Sequence, residues 1–170
     1  RRRRVDAVLA DTGMEARIGS AEFIEQQGLK LRNVQLAMPG VELVAYETMI
    51  AMPIRKIDFV IGQPRPQGII MRRLKMTLNV DASQQVDWAA LVSKLSPSGS
   101  SATPVPISIR DSEVRFISRS APAGRSLANV NMDLIPQVHD GRAVWELKLV
   151  AGENETGGQL SASARLDPLA

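Results

Sequence analysis

The chain has no cysteine, one histidine and six aromatic residues among 170. Without cysteine there are no disulfides and no thiolate metal sites, although the compartment stays open because envelope proteins also do without them. A single histidine leaves zinc short of its usual ligands, and no spaced Asp/Asn loop offers calcium or magnesium an oxygen cage. Neither Gly-x-Ser-x-Gly nor a glycine-rich phosphate loop is present; Gly157-Gly158 falls between strand patterns with no helix after it. No apolar run reaches the roughly eighteen residues that a membrane helix needs, and no secretory signal is seen. Charge of one sign is scarce too: 21 basic against 18 acidic residues leave a net +3, too balanced for a nucleic-acid footprint. This inventory implies no cofactor and no enzyme.

What the chain does have is 44% hydrophobic content, carried by Val, Ile, Leu, Ala and seven Met. A buried surface of that kind is adaptable, and suits a loosely packed core or an apolar ligand. One phrase occurs twice: Leu31-Arg32-Asn33-Val34-Gln35-Leu36-Ala37-Met38 and Leu127-Ala128-Asn129-Val130-Asn131-Met132-Asp133-Leu134. The leading Leu is odd-numbered and the apolar residues after Asn are even-numbered. A strand with a side-chain period of two cannot change phase without a bulge or turn near the Asn. Val105, Ile107 and Ile109 against Val114 and Phe116 make a similar change across Asp111-Ser112. Bends at Asn33, near Asp111 and at Asn129 are therefore expected to curve a sheet.

Along the chain, residues 5–12 fit a short amphipathic helix stopped at Gly13, and Met14, Ala16 and Ile18 open a strand. Gln26-Gln27-Gly28 and Pro39-Gly40 mark turns; Val41, Leu43 and Ala45 begin another alternation. Residues 49–62 are mostly apolar, 63–67 form a loop or edge, and Ile69 to Val80 is a long strand whose Arg72, Arg73 and Lys75 face water. Asp87 caps a second short helix near 87–95, and the Ser/Pro-rich segment 96–106 is the most flexible-looking part. Strand 127–135, the turn at His139-Asp140-Gly141, strand 143–150 and residues 160–166 form a meander. Trp145, Leu147 and Leu149 share one face, as do Leu160 and Leu166. The expectation is one mainly-β module over 1–170, a curved antiparallel sheet of groove or taco shape with two short helices.

Three motifs need weighing. Asp11-Thr12-Gly13 matches the loop of dimeric aspartic proteases, where two such carboxylates share a proton. Ala10 and Met14 around it fit a helix end, with Gly13 as the terminating residue, better than that catalytic loop. His139 decorates a hairpin tip, and Asn154-Glu155-Thr156 is a glycosylation triplet of the kind common by chance. Arg1 to Arg4 reads as an anionic-lipid contact or a solvated charge run. These arginines open a chain without an initiator Met, so an internal piece of a longer protein is expected, with any targeting segment upstream.

The ordering of these pieces resembles the AsmA-like family of bacterial envelope proteins, relatives of TamB and the bridge-like lipid-transfer proteins. The resemblance rests on Asp6 to Gly19 with Phe23 and Gly28 to Leu36, on Asp87-Trp88-Ala89-Ala90-Leu91, and on Ile107 to Phe116 followed by Leu127 to Leu134. It implies a periplasmic module, held to the inner membrane by an upstream anchor, whose apolar sheet face shields phospholipid acyl chains in outer-membrane lipid homeostasis or assembly. Candidate groove-lining residues are Val34, Leu36 and Met38 of the first phrase and Val130, Met132 and Leu134 of the second. Trp145, Leu147, Leu149, Leu160 and Leu166 complete the set. A structural or interaction β-domain without lipid cargo is the alternative, and a protease built on Asp11 a remote one. If Asp11 merely ends a helix, no peptidase activity is expected at acid pH. An activity that Asp11→Asn abolishes would instead establish the protease.

Overall fold

The computed structural model describes residues 15–55, 66–83, 105–140, 142–153 and 157–166, with positions 83, 139, 142, 143, 153 and 166 followed in the backbone only. Eight strands form one open, curved sheet in sequence order. They are β1 (Glu15–Ile24), β2 (Gly28–Met38), β3 (Val41–Ala51), β4 (Gly68–Asn79), β5 (Ile107–Ile117), β6 (Arg125–His139), β7 (Arg142–Glu153) and β8 (Gln159–Leu166). The expected helices at 5–12 and 87–95 lie outside the described residues, as do Asp11 and positions 56–62 and 96–104.

Every neighbouring pair is antiparallel except β4 and β5, which run parallel. The wholly antiparallel expectation is corrected there: the long connection 80–106 gives the chain room to cross over, which a short hairpin loop cannot do. The long strand expected to end at Val80 stops at Asn79. Asn79 Oδ1 accepts from the backbone N–H groups of Asp81 and Ala82, at 3.1 and 3.2 Å, and starts the single helical turn α1 (Val80–Ser83). The turns at Gln26 and Asp140 fall where the sequence placed them, with φ of 62° and 50°. At Gly28, with φ +125°, a Cβ would lie 2.1 Å from the Ile50 carbonyl oxygen, so only glycine fits.

The phase switches are real and lie on one line. Asn33 (φ 52°), Arg73 (φ 50°), Asp111 (φ 51°) and Asn129 (φ 49°) all take the left-handed conformation in mid-strand. Between them the registers keep Leu31 beside Thr48, Thr48 beside Met71, and Met71 beside Ile109. On the other side Val34 lies beside Ala45 and Ala45 beside Leu74. Residues three apart, such as Leu31 and Val34 or Met71 and Leu74, thus share a face. The result is a crease running across the strands.

A crease interrupts the backbone ladder, and two side chains repair it. Ser112 Oγ accepts from the Leu74 N–H at 3.1 Å and donates to the Arg110 carbonyl at 2.8 Å. Asn131 Oδ1 accepts from the Asp111 N–H at 3.3 Å, and its Nδ2 donates to the Asn129 carbonyl at 3.0 Å. On β1, Gly19 removes a clash, since a Cβ there would come within 3.0 Å of the Asn33 Cβ. Asn and Asp tolerate the left-handed region because their short polar side chains bond locally; Arg73 has no such help. Its guanidinium instead stacks 4.8 Å from the centroid of the Tyr46 ring.

These roles predict a contrast. Asn33→Gly should leave the urea midpoint nearly unchanged. Asn33→Val should cost about 1–2 kcal/mol, the penalty for a β-branched residue in left-handed backbone. Ser112→Ala should cost about 1–3 kcal/mol by orphaning the Leu74 N–H. Equal melts for Asn33→Val and Asn33→Gly would refute the crease geometry.

Candidate functional site: one apolar sheet face

Residues opposite one another on paired strands point to the same face, so the registers read out its chemistry row by row. One row runs Phe23, Leu29, Ile50, Ile69, Ile107, Leu134, Leu147, Ala164, from the first strand to the last without a polar side chain. On the far side of the crease, Ala16, Leu36, Leu43, Met76, Val114 and Leu127 form another over six strands. Seven interstrand spacings of about 4.8 Å make this face roughly 34 Å wide.

Burial is greatest along the crease and fades outward. Ala45, Leu74, Val130 and Ala151 are 0–2% exposed, while Ile18 on β1 and Leu160 on β8 are each 45% exposed. The core is a strip of Leu31, Val34, Ala45, Leu74 and Ile109, flanked by half-buried Leu36, Leu43, Ile50, Met71, Met76 and Met132. Among the described residues the strands contact chiefly their sheet neighbours, and all of them belong to one sheet. Burial falls off towards the two edges, where Ile18 and Leu160 have a strand neighbour on one side only.

The candidate residues named from sequence come together here. Val34 and Val130 are buried, Leu36, Met38, Met132, Leu134, Trp145, Leu147 and Leu149 are half-buried, and Leu160 is exposed. By register and alternation all lie on the apolar face; Leu166 pairs with Trp145 through its backbone. The candidate lining residues named from sequence include none on β3 or β4, whose Ala45 and Leu74 are among the most buried of the described residues. A signal existed: Ile69 and Met71 are odd-numbered, and Leu74, Met76 and Leu78 even-numbered, the same phase change without an Asn. Arg72, Arg73 and Lys75 are all exposed, and Arg73 is the crease residue as well.

The opposite face carries the charged pairs, with Val44, Tyr46, Ile135 and Val150 exposed among them. Lys30 Nζ bridges Glu47 at 2.8 Å, and Arg110 bridges Asp133 at 2.7 Å, where the Ser108 hydroxyl also donates at 2.9 Å. The hydrogen bond from Lys30 holds Glu47 below the usual carboxylate range, aided by the positive charges of Lys30, Arg32 and Arg72. The hydrogen bond from Arg110 does the same for Asp133, with help from Ser108 and the charge of Lys148. These groups stitch β2 to β3 and β5 to β6. Two open depressions, of about 400 Å³ near Gln137, Glu146 and Arg165 and about 270 Å³ near Arg17, Gln35 and Glu42, bring no nucleophile, base and oxyanion donor together. Among the described residues no three metal-ligating groups cluster, and no helix is long and apolar enough to cross a membrane.

The fold defines a class: an open, curved, single-sheet β protein with one apolar face and an opposite face that bears the ion pairs. Its relationship to named proteins goes no further, since no family model, curated protein or solved structure matches the chain.

The lowered carboxylates carry a signed prediction. A depressed folded-state pKa gives stability that is full above the ordinary carboxylate pKa and is lost as pH falls through it towards the folded value. The urea midpoint should stay level from about pH 7 to 5 and drop below about pH 4. Asp133→Asn should flatten part of that drop; an unchanged acid profile would mean the Arg110 pair is idle.

Proposed function

We propose that this chain is a non-enzymatic module whose apolar sheet face shields the acyl chains of phospholipid or a similar lipid. The observation that carries the reading is the face itself: an apolar row runs from one open edge to the other, and the described residues supply no second layer over it. A soluble β-sheet ordinarily buries such a face against a partner layer, and an apolar surface this large marks an interaction site. Each acyl methylene removed from water contributes about 0.8 kcal/mol, so a strip of Leu, Ile, Val and Met binds hydrocarbon firmly without specific polar contacts. Half-buried Met71, Met76 and Met132 adapt to a chain of irregular path.

The resemblance in the phase-switched strand phrases extends this reading to an AsmA-like groove module in the bacterial periplasm. There it is tethered to the inner membrane by a segment upstream and contributes to outer-membrane lipid homeostasis or assembly. The competing reading is an envelope β-domain without cargo, favoured by the near-complete burial of Ala45, Leu74 and Val130. In that case other parts of the chain, or a partner protein, cover the face.

Organic extraction of the purified protein, followed by mass spectrometry, separates the two. Phospholipid should co-purify with the wild type and fall severalfold in Leu134→Glu, which places a charge on the half-buried apolar row. Lipid-free protein from several independent preparations would overturn the lipid reading in favour of a closed core.

A further inference from the structure

Among the described residues, two polar side chains are buried on the apolar face, and the fold treats them differently. Ser112, 2% exposed, uses its hydroxyl twice in repairing the crease. Thr48, 4% exposed, has its Oγ1 buried without any hydrogen-bond partner. It lies on β3 between Leu31 of β2 and Met71 of β4, with Ala45 and Ile50 before and after it on the same face. All four neighbours are apolar. A buried hydroxyl without a partner is destabilising, and valine, of nearly the same shape, would occupy this position without that penalty.

An isolated donor within an apolar surface complements a molecule that is itself apolar except at one point. An ester-linked acyl chain is such a molecule, because its carbonyl accepts a hydrogen bond and the rest is hydrocarbon. We propose that Thr48 is the polar contact of this face. Its hydroxyl donates to the ester carbonyl of a bound acyl chain, and the face thereby selects ester-linked chains over plain hydrocarbon. The proposal rests on the lipid-shielding reading and names the chemical class that the face prefers. Met71, directly beside Thr48, provides access, since its unbranched side chain can change rotamer to uncover the hydroxyl.

The test is displacement of a bound pyrene-labelled fatty acid by methyl palmitate and by octadecane, from the wild type, Thr48→Val and Thr48→Ser. The wild type should bind methyl palmitate about threefold to tenfold more tightly than octadecane, the worth of one net hydrogen bond. Thr48→Ser should keep that preference. Thr48→Val should lose it while melting at the same temperature or higher. A preference unchanged in Thr48→Val overturns the proposal, as does wild-type binding of both molecules without preference. A Thr48→Val protein that melts well below the wild type, or does not fold, also overturns it, because the hydroxyl would then already be satisfied within the fold. Failure of the wild type to bind the fatty acid at all removes the lipid-shielding reading and this proposal with it.

Discussion

The structure depends on one backbone constraint, the left-handed residue set into the middle of β2, β4, β5 and β6. A regular strand alternates faces without exception, so an apolar pattern that changes phase would turn half its side chains to water. A single residue with φ near 50° inserts the extra step and brings both halves back to one face. Because β2, β4 and β5 make the step at matching register and β6 close to it, the bends add instead of conflicting, and the sheet curves along a line. Ser112 and Asn131 then satisfy the backbone groups that the step leaves unpaired.

Burial follows from that line. In a single sheet, a side chain escapes water only through its lateral neighbours and the curvature around it. Ala45, Leu74 and Val130 sit where both are greatest; Ile18 and Leu160, at the rims of the same region, have neighbours on one side only. The crease also weakens across the sheet. On β6 it is displaced by one register step, and β7 and β8 alternate regularly throughout, so the register shifts collect between β5, β6 and β7. The face that bears the ion pairs resists splaying through them, Lys30 with Glu47 and Arg110 with Asp133, each joining adjacent strands.

Much of this was legible in the residues. The doubled Leu-x-Asn-Val phrase located two crease positions, the Asp111-Ser112 interruption a third, and the alternation in β7 assigned Trp145, Leu147 and Leu149 to one face. The left-handed backbone at Arg73 was not legible, because arginine rarely takes that conformation and a cluster of basic residues reads as an ordinary wet face. The tasks of Ser112 and Asn131 could not be read either, since each serves a backbone group on another strand or across the break. Nothing in the residues around Thr48 marks its hydroxyl as unpaired, since Leu31 and Met71 that flank it lie on other strands.

Strand identity, the phase of each apolar run and the division into two faces were determined by the sequence alone, because a period of two and side-chain polarity are local properties. The tertiary structure alone decided that β4 and β5 run parallel, that the separate bends fall on one line, and that one buried hydroxyl finds a partner while the other does not. Those outcomes depend on pairing between residues distant in the chain, and no local pattern encodes which distant group will be opposite.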